Sequence, residues 1–92
     1  MISHTTKRFR ALYDELPEEI RNQARRAYRL FQDNPNHPSL RFKPVHTTQP
    51  IYSVRIGQGY RAVGVVSGEE IVWYWVGSHT DYDRLLNDIR RR

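Results

Sequence analysis

The sequence predicts an α+β domain: two N-terminal helices packed on a three- to four-stranded antiparallel sheet, with a C-terminal helix closing the chain. Three observations carry that expectation. Apolar residues recur at helical spacing through the first third, the period changes to two after a break at 34–38, and a helical stripe returns after residue 80. This order of elements lays helices against one face of a sheet.

Phe9, Leu12, Tyr13 and Leu16 fall at i, i+3, i+4 and i+7, one stripe of a short helix starting near Thr5 or Thr6. Pro17 is expected as the first residue of a second helix, where its missing N–H costs nothing, and Glu18 and Glu19 suit the positive end of the helix dipole. The apolar face continues through Ile20, Ala24, Ala27, Tyr28 and Phe31 to about Asp33, with Arg21, Arg25 and Arg29 on the opposite face. Asn34-Pro35-Asn36-His37-Pro38 stops the helix, because proline removes a donor and clashes with the preceding turn.

Leu40 to His46 then reads as a strand. Tyr52, Val54 and Ile56 alternate with Ser53 and Arg55, and Gly57-Gln58-Gly59 turns the chain with glycine where positive φ is needed. Tyr60 to Val66 returns, Ser67-Gly68-Glu69 turns again, and the almost wholly apolar Ile71 to Val76 is expected at the sheet centre, buried on both faces. Trp73 and Trp75 are expected on one strand face, as core more than as a base-stacking platform. Asp81 to about Arg90 forms the last helix on Leu85, Leu86 and Ile89, and Arg90-Arg91-Arg92 is a basic end expected to fray. At the other end, Ile2-Ser3-His4 carries hardly any strand signal.

Ninety-two residues correspond to a single domain, 1–92. Fifteen Lys and Arg against ten Asp and Glu leave a net charge of +5, which favours a polyanion or an acidic protein over a neutral metabolite as partner; the alternative is plain solvation. With no Cys there is no disulfide framework, thiolate nucleophile or Cys-based zinc site. No apolar stretch is long enough to cross a bilayer, and Met1-Ile2-Ser3-His4 lacks the basic-then-apolar layout of a secretion signal. A cytosolic setting without a membrane partner is expected.

The residues that could carry chemistry are Lys43, His46, Arg55, Arg61, His79 and Tyr82, which a meander gathers on one concave face. Arg55 should project from the sheet face opposite the helices, with Arg61 across the hairpin from it. Two such guanidiniums repel unless an anion lies between them, and arginine's planar fork suits phosphate. The competing reading pairs them internally with Glu69, Glu70 or Asp83. His79 follows the apolar strand and can exchange a proton near neutral pH, or else it caps the last helix or packs on Trp75. Tyr82 is three residues on, on nearly the same face, placed to stack on a base or meet a phosphate, or simply half-buried. The histidines lack metal-ligand spacing, so no metal or other cofactor is expected. Gly57-Gln58-Gly59 leads into a strand and is no dinucleotide fingerprint.

The order Leu16-Pro17, Asn34-Pro35, Leu40-Arg41-Phe42-Lys43, Tyr52-Ser53-Val54-Arg55, Tyr60-Arg61 and Gly77-Ser78-His79 followed by Tyr82 resembles the RelE/ParE superfamily of toxins from bacterial type II toxin–antitoxin systems. The likeness runs from about Phe9 to Leu86. It implies a small sheet backed by two helices, a neutralising antitoxin, and one of two activities: RelE-like members cut mRNA, usually on the ribosome, and ParE-like members inhibit DNA gyrase. The closing Gly-Ser-His-Thr-Asp is similar to the YafQ branch, whose matching histidine is catalytic, which carries over to His79. Arg61 matches a position that binds the scissile phosphate. Lys43 and His46 match the family's basic region without its spacing, and Tyr82 is one residue short of the YafQ-like aromatic position.

The expected function is therefore a metal-independent mRNA endoribonuclease toxin. His79 would act as general acid or base, Arg61 and Arg55 would hold the phosphate in a space sized for one phosphodiester, and Lys43 or His46 would add charge. Tyr82 would position a base or the phosphate. The expected partners are a cognate antitoxin laid across the positive sheet face, mRNA and the ribosome. The alternatives are a gyrase-binding toxin without nuclease activity and a non-toxic interaction module.

Overall fold

The computed structural model describes residues 1–91; of the basic end, Arg92 lies outside the described residues. The chain runs β1 (Ile2–Thr5), α1 (Lys7–Asp14), α2 (Glu18–Asp33), a 3₁₀ turn (Pro38–Leu40), β2 (Lys43–Pro44), β3 (Ile51–Ile56), β4 (Tyr60–Ser67), β5 (Glu70–Ser78) and α3 (His79–Arg90). The five strands form one sheet in the order β1-β5-β4-β3-β2. The expected α+β order is present, and the sheet is mixed: β1 runs parallel to β5, while the other neighbours are antiparallel. No described helix is long and apolar enough to cross a membrane.

Local chemistry explains the helix ends. Thr6 caps α1, its side chain accepting from the Phe9 N–H at 3.0 Å. Pro17 sits at the cap of α2 and not inside it, so Glu18 and Glu19 open the helix at its positive end. Leu16 falls beyond α1 yet remains buried in the core.

The strand expected over Leu40 to His46 contracts to two residues, Lys43 and Pro44. Leu40 ends the 3₁₀ turn, Arg41 takes a left-handed backbone at φ 47°, and Pro44 has no N–H to extend a ladder. β2 therefore pairs only with Tyr52 and Ser53, and the rest of β3 lacks a neighbour on that side.

A register shift between β4 and β5 sets the architecture. Val63 pairs with Trp75 and Gly64 with Trp73, so Tyr74 is an extra residue and the alternation slips by one. Trp73 consequently joins the cluster of Phe31, Val54, Ile56, Ala62, Ile71 and Val76. Trp75 joins Val45, Val63, Tyr82 and Leu86. The two tryptophans occupy opposite sides of the sheet, not one face as the plain alternation implied. β4 is the middle strand; β5 lies inside the sheet between β1 and β4, and its exposed Val72 departs from the expected burial on both faces.

The helices also divide. Phe9 and Tyr13 of α1 and Ile20, Ala24 and Ala27 of α2 pack on the Trp73 side, whereas α3 packs on the Trp75 side. Phe31 meets Phe42 and Trp73 edge-on, with ring centroids 5.0 and 5.4 Å apart.

Candidate functional site

On the α3 side, β3 and β4 carry Arg55 and Arg61 as direct cross-strand partners, which places both on the face of Ser53 and Val63. The Arg55 Nε donates to the Gly57 carbonyl at 2.7 Å, and an Arg61 Nη donates to the Tyr60 carbonyl at 2.9 Å. Among the described residues neither guanidinium forms an ion pair. Glu70 instead meets His4 at 2.9 Å, and Asp83 meets His79 at 3.6 Å. Burial holds the Arg61 guanidinium below the usual arginine range, and Arg55 and then Arg41 push the same way, with Asp83 opposing. The pair is an unneutralised positive spot on a rigid hairpin.

His79 opens α3 but does not cap it. Ser78 is the cap, its Oγ accepting from the Asp81 N–H at 3.2 Å. The His79 backbone N–H donates to the Gly59 carbonyl at 2.8 Å, which ties the start of α3 to the β3–β4 turn beside the arginines. The imidazole lies 6.1 Å from the Tyr82 ring, not against Trp75, and its side chain is 53 % exposed. It can therefore meet a ligand and exchange protons with it.

Tyr82 is buried, and its hydroxyl donates to the buried Ser53 Oγ at 2.9 Å. Its ring leans on Trp75 at 6.4 Å and carries the Arg61 guanidinium 5.8 Å from its centroid. The hydroxyl expected to meet substrate is committed to Ser53, so the ring serves as a post beneath Arg61 and beside His79.

Lys43 pairs with Ser53 across β2 and β3 and thus stands exposed on the same face, at its margin. His46 does not join the group. Its Nδ1 accepts from the Thr48 and Gln49 N–H groups at 3.1 and 2.9 Å, holding the loop before β3. Val45 bonds to Ile51 at the start of β3, so this loop sits about 13 Å along the strand from Arg55. Of these residues, His79 and Arg61 line neither groove described below, whereas Arg55 borders the second.

Three contributors were not read as such from the sequence. Asp83 was weighed only as an arginine partner, although its i+4 spacing from His79 on a helix is a sufficient signal. Ser53, a hydroxyl inside an apolar strand, signals a buried hydrogen-bond partner. Arg41 gave no signal, because a left-handed arginine after a 3₁₀ turn has no sequence pattern of its own.

A groove of about 540 Å³ lies between α1, α2 and the other sheet face, with Phe9, Tyr13, Tyr28 and Trp73 lining it and Arg25 and Arg29 among its cations. A shallower one of about 450 Å³ lies between α2, the 3₁₀ turn and the β3–β4 turn. Among the described residues no group of three or more His, Asp or Glu gathers as metal ligands.

Residues 18–84 match the family model of the ParE-like toxin domain. No curated protein matches the chain. Among solved structures, the RelB-RelE antitoxin-toxin complex from Methanococcus jannaschii aligns at 22 % identity and TM-score 0.70, covering 88 % of this chain and 96 % of that one. YafQ from E. coli strain BL21(DE3) aligns at 8 % identity and TM-score 0.70, covering 87 % and 94 %. The YoeB/ParE toxin from Agrobacterium tumefaciens aligns at 18 % identity and TM-score 0.68, covering 86 % and 99 %. At such identities these structures establish a shared fold.

Proposed function

Because the chain belongs to the ParE-like toxin family, within the RelE/ParE superfamily, we propose that it is a toxin that cleaves mRNA without a metal. One observation carries this reading: an exposed imidazole and two guanidiniums with no ion pair among the described residues share one face, braced by a buried tyrosine. A protein surface that only binds has no need of an imidazole there.

In the proposed reaction the 2′-oxygen of a ribose attacks the adjacent phosphorus, the 2′-O–P bond forms and the P–5′-O bond breaks. One proton leaves the 2′-hydroxyl and one reaches the departing 5′-oxygen. His79 performs one of these transfers, worth about 10²–10⁴-fold in rate. Arg61 and Arg55 hold the phosphate oxygens as negative charge builds, replacing mutual repulsion with shared attraction. Lys43 adds a further cation at the margin, and Tyr82 and Ser53 fix Arg61. His46 is left to its loop.

For the partner, we propose an antitoxin whose apolar segment, flanked by acidic residues, lies in the groove between α1, α2 and the sheet. Its aromatic lining and its Arg25 and Arg29 complement such a segment, and the RelE structure above is itself that of an antitoxin-toxin complex. This departs from the expected docking across the positive sheet face.

A second reading has a specific observation behind it: the matching family model is the ParE-like one, and the resemblance to ParE implies gyrase inhibition. Expression without antitoxin, followed by separate assays of translation and DNA supercoiling, discriminates. Loss of translation alone supports cleavage, and loss of supercoiling alone supports gyrase binding. His79→Ala and Arg61→Ala should each keep the fold and remove growth arrest; if both remain toxic, the site assignment fails.

A further inference from the structure

We propose that the groove beside Arg55, between α2, the 3₁₀ turn and the β3–β4 turn, is a nucleotide subsite that takes the base next to the phosphate held by Arg55 and Arg61. The inference rests on the reading of those arginines as a phosphate grip and extends it to substrate selection.

The groove, about 450 Å³, falls within the roughly 300–1,000 Å³ of small-ligand clefts. Ala27 and Leu30 supply apolar lining, suited to the flat face of a base. Gln23 of α2 and Gln58 of the turn bring side-chain amides, each able to donate and accept, as the edge of a base requires. Arg26 and Arg55 add positive charge, and no carboxylate lines the space. Arg26 does meet Glu19 at 3.7 Å, but both side chains are well exposed, so that pair is weak and free to yield.

Arg55 belongs to this groove and is also the cross-strand partner of Arg61. Arg55 thus borders both the phosphate spot and the amide-walled space at the open edge of β3. The space exists because β2 pairs only with Tyr52 and Ser53, leaving the rest of β3 without a strand beside it. Gly57 shapes the wall: at φ 57° it needs glycine's freedom, and Gln23 already occupies the position a Cβ would take. An apolar peptide would leave two amides and two guanidiniums without partners, and phosphate alone would not use the apolar lining.

The test is an NMR titration of the intact wild-type chain with the four nucleoside 3′-monophosphates and, separately, with inorganic phosphate. Nucleotides should move the side-chain amide signals of Gln23 and Gln58 by amounts that differ between bases, while phosphate moves only Arg55 and Arg61. The double variant Arg26→Ala, Gln58→Ala should bind its best nucleotide about tenfold more weakly and bind phosphate as the wild type does. Nucleotides that perturb only the two arginines, as phosphate does, would overturn the subsite and leave the phosphate grip standing. A chain whose Arg55 and Arg61 respond to neither probe would overturn the grip itself.

Discussion

The two faces of the sheet are built from the same strands and do opposite things. The face under α1 and α2 carries the larger core cluster, with Phe31, Trp73, Ile71 and Val76 almost fully buried beside the groove proposed for the antitoxin. The α3 face is satisfied only in its lower layer, where Trp75, Tyr82 and Ser53 pack and bond, and above that layer stand Arg55 and Arg61, without ion-pair partners among the described residues. Side chains alternate along a strand, so one stretch of β3 supplies core through Val54 and Ile56 and cations through Arg55. The difference teaches where stability and function separate: one face holds the fold, and the other keeps charges that an anion would neutralise.

Trp73→Ala attacks this core face and should have the largest effect on folding, about 3–5 kcal/mol by chemical denaturation, a large share of the roughly 5–15 kcal/mol that holds an ordinary domain. A loss below about 1 kcal/mol would mean that this face is not the main core. Tyr82→Phe touches the lower layer of the other face. It leaves the Ser53 hydroxyl buried without its partner and should cost about 1–2 kcal/mol, with the Ser53→Ala, Tyr82→Phe double variant less destabilised than the sum of the singles. Arg61→Met reaches the upper layer and should change stability by less than about 1 kcal/mol, because the gain from relieving burial and repulsion by Arg55 offsets the lost contact with Tyr82. The same variant should lose the rise in melting temperature that inorganic phosphate gives the wild type. A phosphate-independent melting temperature in the wild type would remove the claimed difference between the faces.

Much of this was legible in the residues because the signals are local. The stripe of α2, the alternation of Tyr52 to Ile56, the Gly57 turn and the placing of Arg55 and Arg61 on one face all follow from period and turn chemistry, and all are present. What escaped depends on distant partners. Ile2–Thr5 has no pattern of its own and becomes a strand only by pairing with β5. The slip at Tyr74 is invisible inside an unbroken apolar run, so Trp75 and Trp73 parted unannounced. His46 looked like a free cation until its ring nitrogen was found serving two backbone N–H groups. His79 and the arginines were visible as a group, but the burial of Tyr82 beneath them was not, since a tyrosine on a helix reads alike whether it faces core or solvent.

The most direct measurement is the chemistry of RNA ends after incubating the purified chain with a defined message, alone and with ribosomes. Cleavage at this site should give fragments ending in a 2′,3′-cyclic phosphate paired with 5′-hydroxyl ends, no cut where the ribose at the site lacks its 2′-hydroxyl, and no fragments from folded His79→Ala. Intact RNA under both conditions from a chain that still arrests growth would contradict the proposed cleavage.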